Sequence, residues 1–153
     1  MKRLCFLLLL GLGLLVAWTR NRPPSLAEQR IGLLVGPDWV WTSWTEQTGS
    51  QPVQERMVPC RQDDFIRFAQ HEGQQLYSEN AGPRRCETVT RPSAQGQWAL
   101  SEDAQRLTIT GGRGTFDDTW QIDELSATRL RLAYRTTTSR GPFSMVITFT
   151  RRQ

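Results

Sequence analysis

Arg129-Leu130-Arg131-Leu132-Ala133-Tyr134-Arg135-Thr136 and Phe143-Ser144-Met145-Val146-Ile147-Thr148-Phe149-Thr150 both alternate with a period of two. That is the period of a half-buried β-strand. Leu130, Leu132 and Tyr134 fall on one face of the first run, and Arg129, Arg131 and Arg135 on the other. In the second run Phe143, Met145, Ile147 and Phe149 share a face opposite Ser144, Val146, Thr148 and Thr150. Ser139-Arg140-Gly141-Pro142 between them is a turn signal, so the two runs read as an antiparallel hairpin with one apolar side.

The same period extends upstream. From Asp38, Trp39, Trp41 and Ser43 alternate with Val40, Thr42 and Trp44; further runs cover Asp64–Ala69, Gln75–Glu79, Gln97–Ser101, Arg106–Thr110 and Thr115–Asp123. Turn signals at His71-Glu72-Gly73, Ser101-Glu102-Asp103 and Gly111-Gly112-Arg113-Gly114 separate several of them. Eight short strands in succession imply antiparallel neighbours, and a meander of eight can close on itself and leave no exposed edge. The expected fold is all-β, an eight-stranded antiparallel up-and-down barrel. Before it, Ser25-Leu26-Ala27-Glu28 is a capping box that opens a short helix. Leu26, Ile31, Leu34 and Val35 would form its apolar side, and Gly36-Pro37 would end it.

Charge divides the chain in two. The formal net charge is +4; residues 1–24 contain Lys2, Arg3, Arg20 and Arg22 and no acid, whereas the remainder contains 15 Arg and 15 Asp or Glu. The domain is neutral, so the basic footprint of a nucleic-acid binder is absent. The positive residues flank an apolar run, Leu4 to Trp18, which matches a secretory leader and is short for a membrane-spanning helix. Residues 1–24 are therefore expected to be a hydrophobic leader helix with its linker, and residues 25–153 the barrel domain. Ala17-Trp18-Thr19 is a weak cleavage site, so two outcomes stay open: a cleaved signal peptide, or a retained anchor that contacts the membrane through residues 4–18. Either places the domain outside the cytoplasm, secreted, periplasmic or membrane-anchored.

Cys60 and Cys86 remain once the leader is set aside, an even count in a chain sent to an oxidising compartment. A disulfide between them is expected; free thiols and a metal pair are the alternatives, and one distant histidine, His71, falls short of a zinc set. No catalytic constellation is readable. His71 falls in a turn, and neighbouring strand residues such as Asp63 and Asp64, or Asp117 and Asp118, point to opposite faces. Gly111-Gly112-Arg113-Gly114 lacks the Lys-Ser/Thr and helix of a phosphate loop. The expectation is a non-enzyme with no catalytic residue, metal or cofactor.

In order along the chain come Leu34-Val35-Gly36, Trp39-Val40-Trp41-Thr42-Ser43, Cys60-Arg61-Gln62-Asp63-Asp64, Phe68, Gly73 and Cys86. Gly96-Gln97-Trp98-Ala99-Leu100-Ser101, Leu107-Thr108-Ile109, Ile122-Asp123-Glu124-Leu125, Leu130-Arg131-Leu132 and Ile147-Thr148-Phe149 follow. This series resembles the bacterial lipocalin-like domain family, small exported barrels common in Bacteroidetes, over about residues 31–150. The resemblance implies a lipocalin-like barrel and export, and no defined ligand. The chain departs from it in having no lipobox, and in a Gly36-Pro37-Asp38-Trp39 spacing one residue longer than the Gly-x-Trp of lipocalins. By analogy Trp39 would close the barrel base.

Two functions follow from such a barrel. One is the binding of a small hydrophobic ligand in a cup among Trp41, Phe68, Trp98, Leu132 and Phe149. The other is an envelope protein-interaction or structural module with a solid barrel and an outer patch around Trp44, Arg129, Arg131 and Arg135. On strict alternation Trp44 faces outward, opposite in parity to Trp39 and Trp41.

Overall fold

The computed structural model describes residues 22–84, 86, 93–112 and 116–152. Helix α1 spans Leu26–Leu34, and the strands are β1 Asp38–Thr48, β2 Gln54–Glu55, β3 Phe65–His71, β4 Gln74–Asn80, β5 Ser93–Leu100, β6 Arg106–Thr110, β7 Asp118–Leu125, β8 Arg129–Thr138 and β9 Gly141–Arg151. Residues 1–21, which include the apolar run Leu4 to Trp18 of the leader expected over residues 1–24, lie outside the described residues. Among the described residues no helix is long and apolar enough to cross a membrane.

Every strand pairs antiparallel with its neighbour, and β1 pairs with β9 from Trp39↔Arg151 to Thr48↔Phe143, which closes the sheet. The result is an eight-stranded up-and-down barrel, with β2 as a two-residue addition on the upper half of β1. Hairpin geometry follows the turn residues. Glu72 and Gly73 both have positive φ, +49° and +80°, which makes the two-residue β3–β4 loop one that matches strand twist.

All eight expected strands form, most with ends shifted by one or two residues; three differences in extent are larger. β1 runs on to Thr48. β5 starts at Ser93, ahead of the expected Gln97. β7 starts at Asp118, after the expected Thr115, because Phe116 and Asp117 belong to the loop before it.

α1 has the expected capping box: the Ser25 hydroxyl accepts from Glu28 N–H at 3.2 Å, and Glu28 accepts from Ser25 N–H at 2.6 Å. It ends at Leu34, just before Gly36-Pro37, because Val35 is extended and bridges to Phe68. Of the expected apolar side only Leu34 is fully buried, and Leu26 is 52% exposed. The helix is thus a lid at one end, with Leu34 fully buried and Ile31 and Val35 packed partly buried against the core.

Inside, Trp39, Trp41, Ile66, Phe68, Tyr77, Trp98, Leu107, Ile109, Trp120, Ile122, Leu130, Leu132, Ile147 and Phe149 form one continuous core. An eight-stranded barrel is just wide enough to be filled by such side chains.

Candidate functional site

The two ends of the barrel differ. At the closed end α1 lies across the opening, and the Trp39 indole donates to the Leu34 carbonyl at 3.0 Å. Arg30 on the helix donates to Ala104 O at 2.7 Å in the β5–β6 turn, so both sides of the barrel hold the lid. Trp39 is fully buried there.

The open end is built by a strap and two loops. From Glu55 to Asp64 the chain crosses from β1 to β3, where the two strands have parted. Arg56 N–H donates to Trp44 O at 2.6 Å, and Trp41 N–H to Asp64 O at 2.9 Å, so the strap is sewn to β1. A 3-10 turn, Pro59–Arg61, carries Cys60 to Cys86, with their Cα atoms 5.3 Å apart. The expected disulfide therefore forms, and it ties the strap to the β4–β5 connection.

Trp44 is where strict alternation fails. A bulge between Trp41 and Ser43 puts Thr42 out of register, so Trp41 lies opposite Phe149 while Trp44 lies opposite Ile147. Both partners face the core, and so does Trp44. Its ring stacks on Trp41 at 5.7 Å and is partly buried, not part of an outer patch. Its Nε1 is buried and has no hydrogen-bond partner.

Phe116 comes from the β6–β7 loop and enters the barrel. Its ring lies 5.2 Å from Trp41, 5.7 Å from Phe149 and 6.3 Å from Trp120, and it is 1% exposed. Asp117 beside it accepts from Gly112 N–H at 2.9 Å, which pins the loop.

Three acids from separate elements surround this aromatic group. Glu79 lies opposite Ile66 on the face of β4 that also carries Tyr77, and so points inward. Asp64, two residues before Ile66, shares that inward parity and accepts from Gly82 N–H at 3.0 Å. Only glycine fits there: a Cβ on Gly82 would lie 2.6 Å from Asp63 O. Burial raises the Glu79 carboxyl above the usual range, with Arg61 pulling it back and Asp64 and Asp117 adding to the rise. Burial also raises Asp64, against the Gly82 N–H and Arg61. Tyr77 is 2% exposed, its hydroxyl 3.5 Å from Glu79, and burial holds it neutral. Arg61 sits over the Trp41 ring at 5.6 Å. Apolar rings, an indole N–H without a partner, two strained carboxyls and one guanidinium can grip a small amphipathic molecule by both its parts.

The five residues expected to line a cup are all buried, between 0 and 3% exposed, and belong to one core. Phe68 meets Trp98 edge-on at 5.8 Å, while Trp41 and Phe149 are joined through Phe116. Phe116, Glu79, Asp64 and Arg61 had no place in the sequence expectation. Glu79 was within reach of it, since it shares the parity of Tyr77; Phe116 had no signal beyond being one apolar residue after a glycine-rich turn.

Neighbouring acids do diverge as expected in one pair: Asp64 faces the barrel, whereas Asp63 accepts from Arg84 N–H at 2.9 Å in the loop beyond. His71 is exposed at the β3–β4 turn. Among the described residues no three His, Cys, Asp or Glu side chains are grouped to hold a metal ion.

Neither the curated proteins nor the solved structures include a match to this chain. The model of the lipocalin-like domain matches residues 34–132, from the end of α1 into the first four residues of β8, and covers the barrel base, the strap, both cysteines and Phe116. The chain belongs to the lipocalin-like domain family.

Proposed function

We propose that this protein is an exported lipocalin-like binder that takes a small, largely hydrophobic molecule at its open end and catalyses no reaction. The observation that carries this is the polar set facing inward there. Glu79 and Asp64 stand on core-facing positions, and the Trp44 indole N–H is buried without a partner. A barrel that only had to be solid gains nothing from such groups, since each costs desolvation energy that an apolar side chain would not. The apolar part of the ligand would lie on Trp41 and Trp44, and its depth would depend on how far Phe116 withdraws toward the cup of Phe68, Trp98, Leu132 and Phe149. Export is supported by the Cys60–Cys86 disulfide, a bond that persists in oxidising compartments, and by the leader pattern of residues 1–24.

The second reading, a solid barrel serving as an envelope interaction module, has one observation in its favour: Phe116 already fills the space between Trp41, Trp120 and Phe149. Titration of the intrinsic tryptophan fluorescence with fatty acids, hydrophobic amines and hydrophobic dyes separates the two. Saturable quenching supports the binder. No response at tens of micromolar, in the protein as made and in a Phe116→Ala variant alike, leaves the solid barrel.

A further inference from the structure

Arginines crowd one side of the barrel at its closed end. Arg129 and Arg131 on β8 lie opposite Thr150 and Thr148 on β9, which in turn lie opposite Val40 and Ser43 on β1. Arg151 ends β9 and Arg152 follows it, and Arg67 on β3 lies opposite Asp38 on β1. Five arginines thus span four adjacent strands, all of them exposed.

Three acids share the strip: Asp38, Glu124 and Asp63, whose carbonyl oxygen accepts from Arg152 at 3.3 Å. Asp38 accepts from Arg67 at 2.7 Å and pairs with Arg152 at 3.5 Å; Glu124 pairs with Arg129 at 3.4 Å. Arg131 and Arg151 have no ion pair among the described residues, and the strip keeps an excess of two positive charges. The other acids of this end are Glu28 on α1 and Glu72, Glu102 and Asp103 on the β3–β4 and β5–β6 turns; β5 and β6 lie across the barrel from β9 and β1. The charge is therefore one-sided although the domain as a whole is neutral.

The strip is grooved. A shallow depression of about 380 Å³ between Arg129, Arg131, Thr42, Thr45, Thr148 and Thr150 adjoins a second of about 310 Å³ that shares Arg129 and Thr150 and adds Arg151. Guanidinium and hydroxyl groups are the donors that suit phosphate oxygens. Among the described residues no aromatic side chain lines either depression; the Phe65 ring at the edge of the strip lies under the Arg152 guanidinium, 4.4 Å away.

We infer that this strip docks the barrel, side on, against the anionic phospholipid headgroups of a membrane. Besides the charge, the argument is the position of the chain outside the structure. α1 crosses the same end as the strip, and only seven residues, 19–25, separate the apolar run ending at Trp18 from the start of the helix. Extended, they reach at most roughly 25 Å. If Leu4–Trp18 lies in a bilayer, the strip is within reach of its surface. Docked this way the barrel leaves its open end clear of the lipid, and the contact is independent of ligand binding.

Arginine-specific labelling with phenylglyoxal, read by mass spectrometry, tests this on the full chain. It is compared on vesicles of phosphatidylcholine alone and on vesicles with one third phosphatidylglycerol. A surface charge of that kind is worth about fivefold per arginine. Arg131 and Arg151 are expected to label at least about fivefold more slowly on the anionic vesicles. Arg140, in the β8–β9 turn at the open end, should label equally on both. Arg131→Glu with Arg151→Glu should abolish the slowing at Arg129 while residues 4–18 still hold the chain to the vesicles. Equal labelling on the two vesicles overturns the inference, whether or not the chain is attached. So does equal slowing without vesicles, which would mark contact between copies of the chain. Either failure leaves the fluorescence titration of the open end untouched, so the two ideas fall separately.

Discussion

The ring of Phe116 stands edge-on to Trp41, centroids 5.2 Å apart, and fills the barrel from a loop, not from a strand. A strand residue cannot leave without breaking a ladder, whereas a loop residue can. Phe116→Ala removes three ring contacts and should destabilise the protein by about 3–5 kcal/mol, the usual cost of emptying a buried phenylalanine site. The same variant should gain a cavity beneath Trp41 and bind hydrophobic dyes that the parent protein binds weakly. Urea denaturation gives the first number and dye fluorescence the second. Lost stability without any gain in dye binding would mean that the barrel collapses onto the space and has no latent cup.

The Cys60–Cys86 bond joins strap and β4–β5 connection across 26 residues, on the side of Glu79 and Arg61. A loop of this length contributes roughly 3–4 kcal/mol in the chain-entropy model. Cys60→Ser with Cys86→Ser should lose about that much. Its effect should be local as well: amide exchange should rise over residues 56–64 and leave the Trp39–Leu34 end unchanged. A uniform rise across the barrel would show that the bond supports the whole fold rather than the open end.

The eight strands were legible in the sequence because alternation is written residue by residue: Leu130, Leu132 and Tyr134, or Ile147 and Phe149, state their own faces. The bulge at Thr42 was written more faintly. Trp41 and Trp44 are three apart, hence on opposite faces of a regular strand, and two large apolar residues in that relation are what one extra residue in register produces. The acidic group was less legible still. Asp64, Glu79 and Asp117 meet only through the β3–β4 register and the course of the β6–β7 loop, and no local pattern states either. Phe116 belongs to the same class: its partners are 75 residues back at Trp41 and 33 ahead at Phe149.

Glu55 carries more than its two-residue strand suggests. Its carboxylate accepts from Ser43 Oγ at 2.9 Å and from the N–H groups of Trp44, Arg56 and Met57 at 3.0, 3.1 and 2.9 Å. Burial raises its pKa, but those donors outweigh it and the net shift is downward. A lowered value means that the contribution is present above the unfolded carboxylate range and lost as pH falls through the folded value. Glu55→Gln keeps one accepting oxygen and brings a donor against N–H groups. The Arg56 amide, bonded to Trp44 O, should then exchange at least about tenfold faster at pH 7, the change expected when one net hydrogen bond is lost. As pH falls through the folded value, below the ordinary glutamate range, parent and variant should converge. Unchanged exchange at pH 7 would show that β2 is held by its two backbone pairs alone.

Glu79 should give the opposite sign. Its carboxyl faces the core opposite Ile66, its hydrogen bond to Tyr77 is long at 3.5 Å, and burial raises its pKa more than Arg61 lowers it. The folded chain therefore holds this proton more tightly than the unfolded chain does. The stabilisation that results is complete below the unfolded glutamate value of about 4.3 and is lost as pH rises through the folded value. Asp64 shifts in the same direction, so the two act together over that window. Glu79→Gln keeps the shape without the charge, and above the window it should be more stable than the parent protein. Urea midpoints measured from pH 4 to pH 8 should fall with pH in the parent and run flatter in the variant, the gap widest at pH 8. The variant should also bind neutral hydrophobic dyes no worse, because the charge rather than the shape has been removed. A less stable Glu79→Gln at pH 8 would mean that attraction to Arg61 outweighs burial, and that Glu79 is a structural partner of the strap.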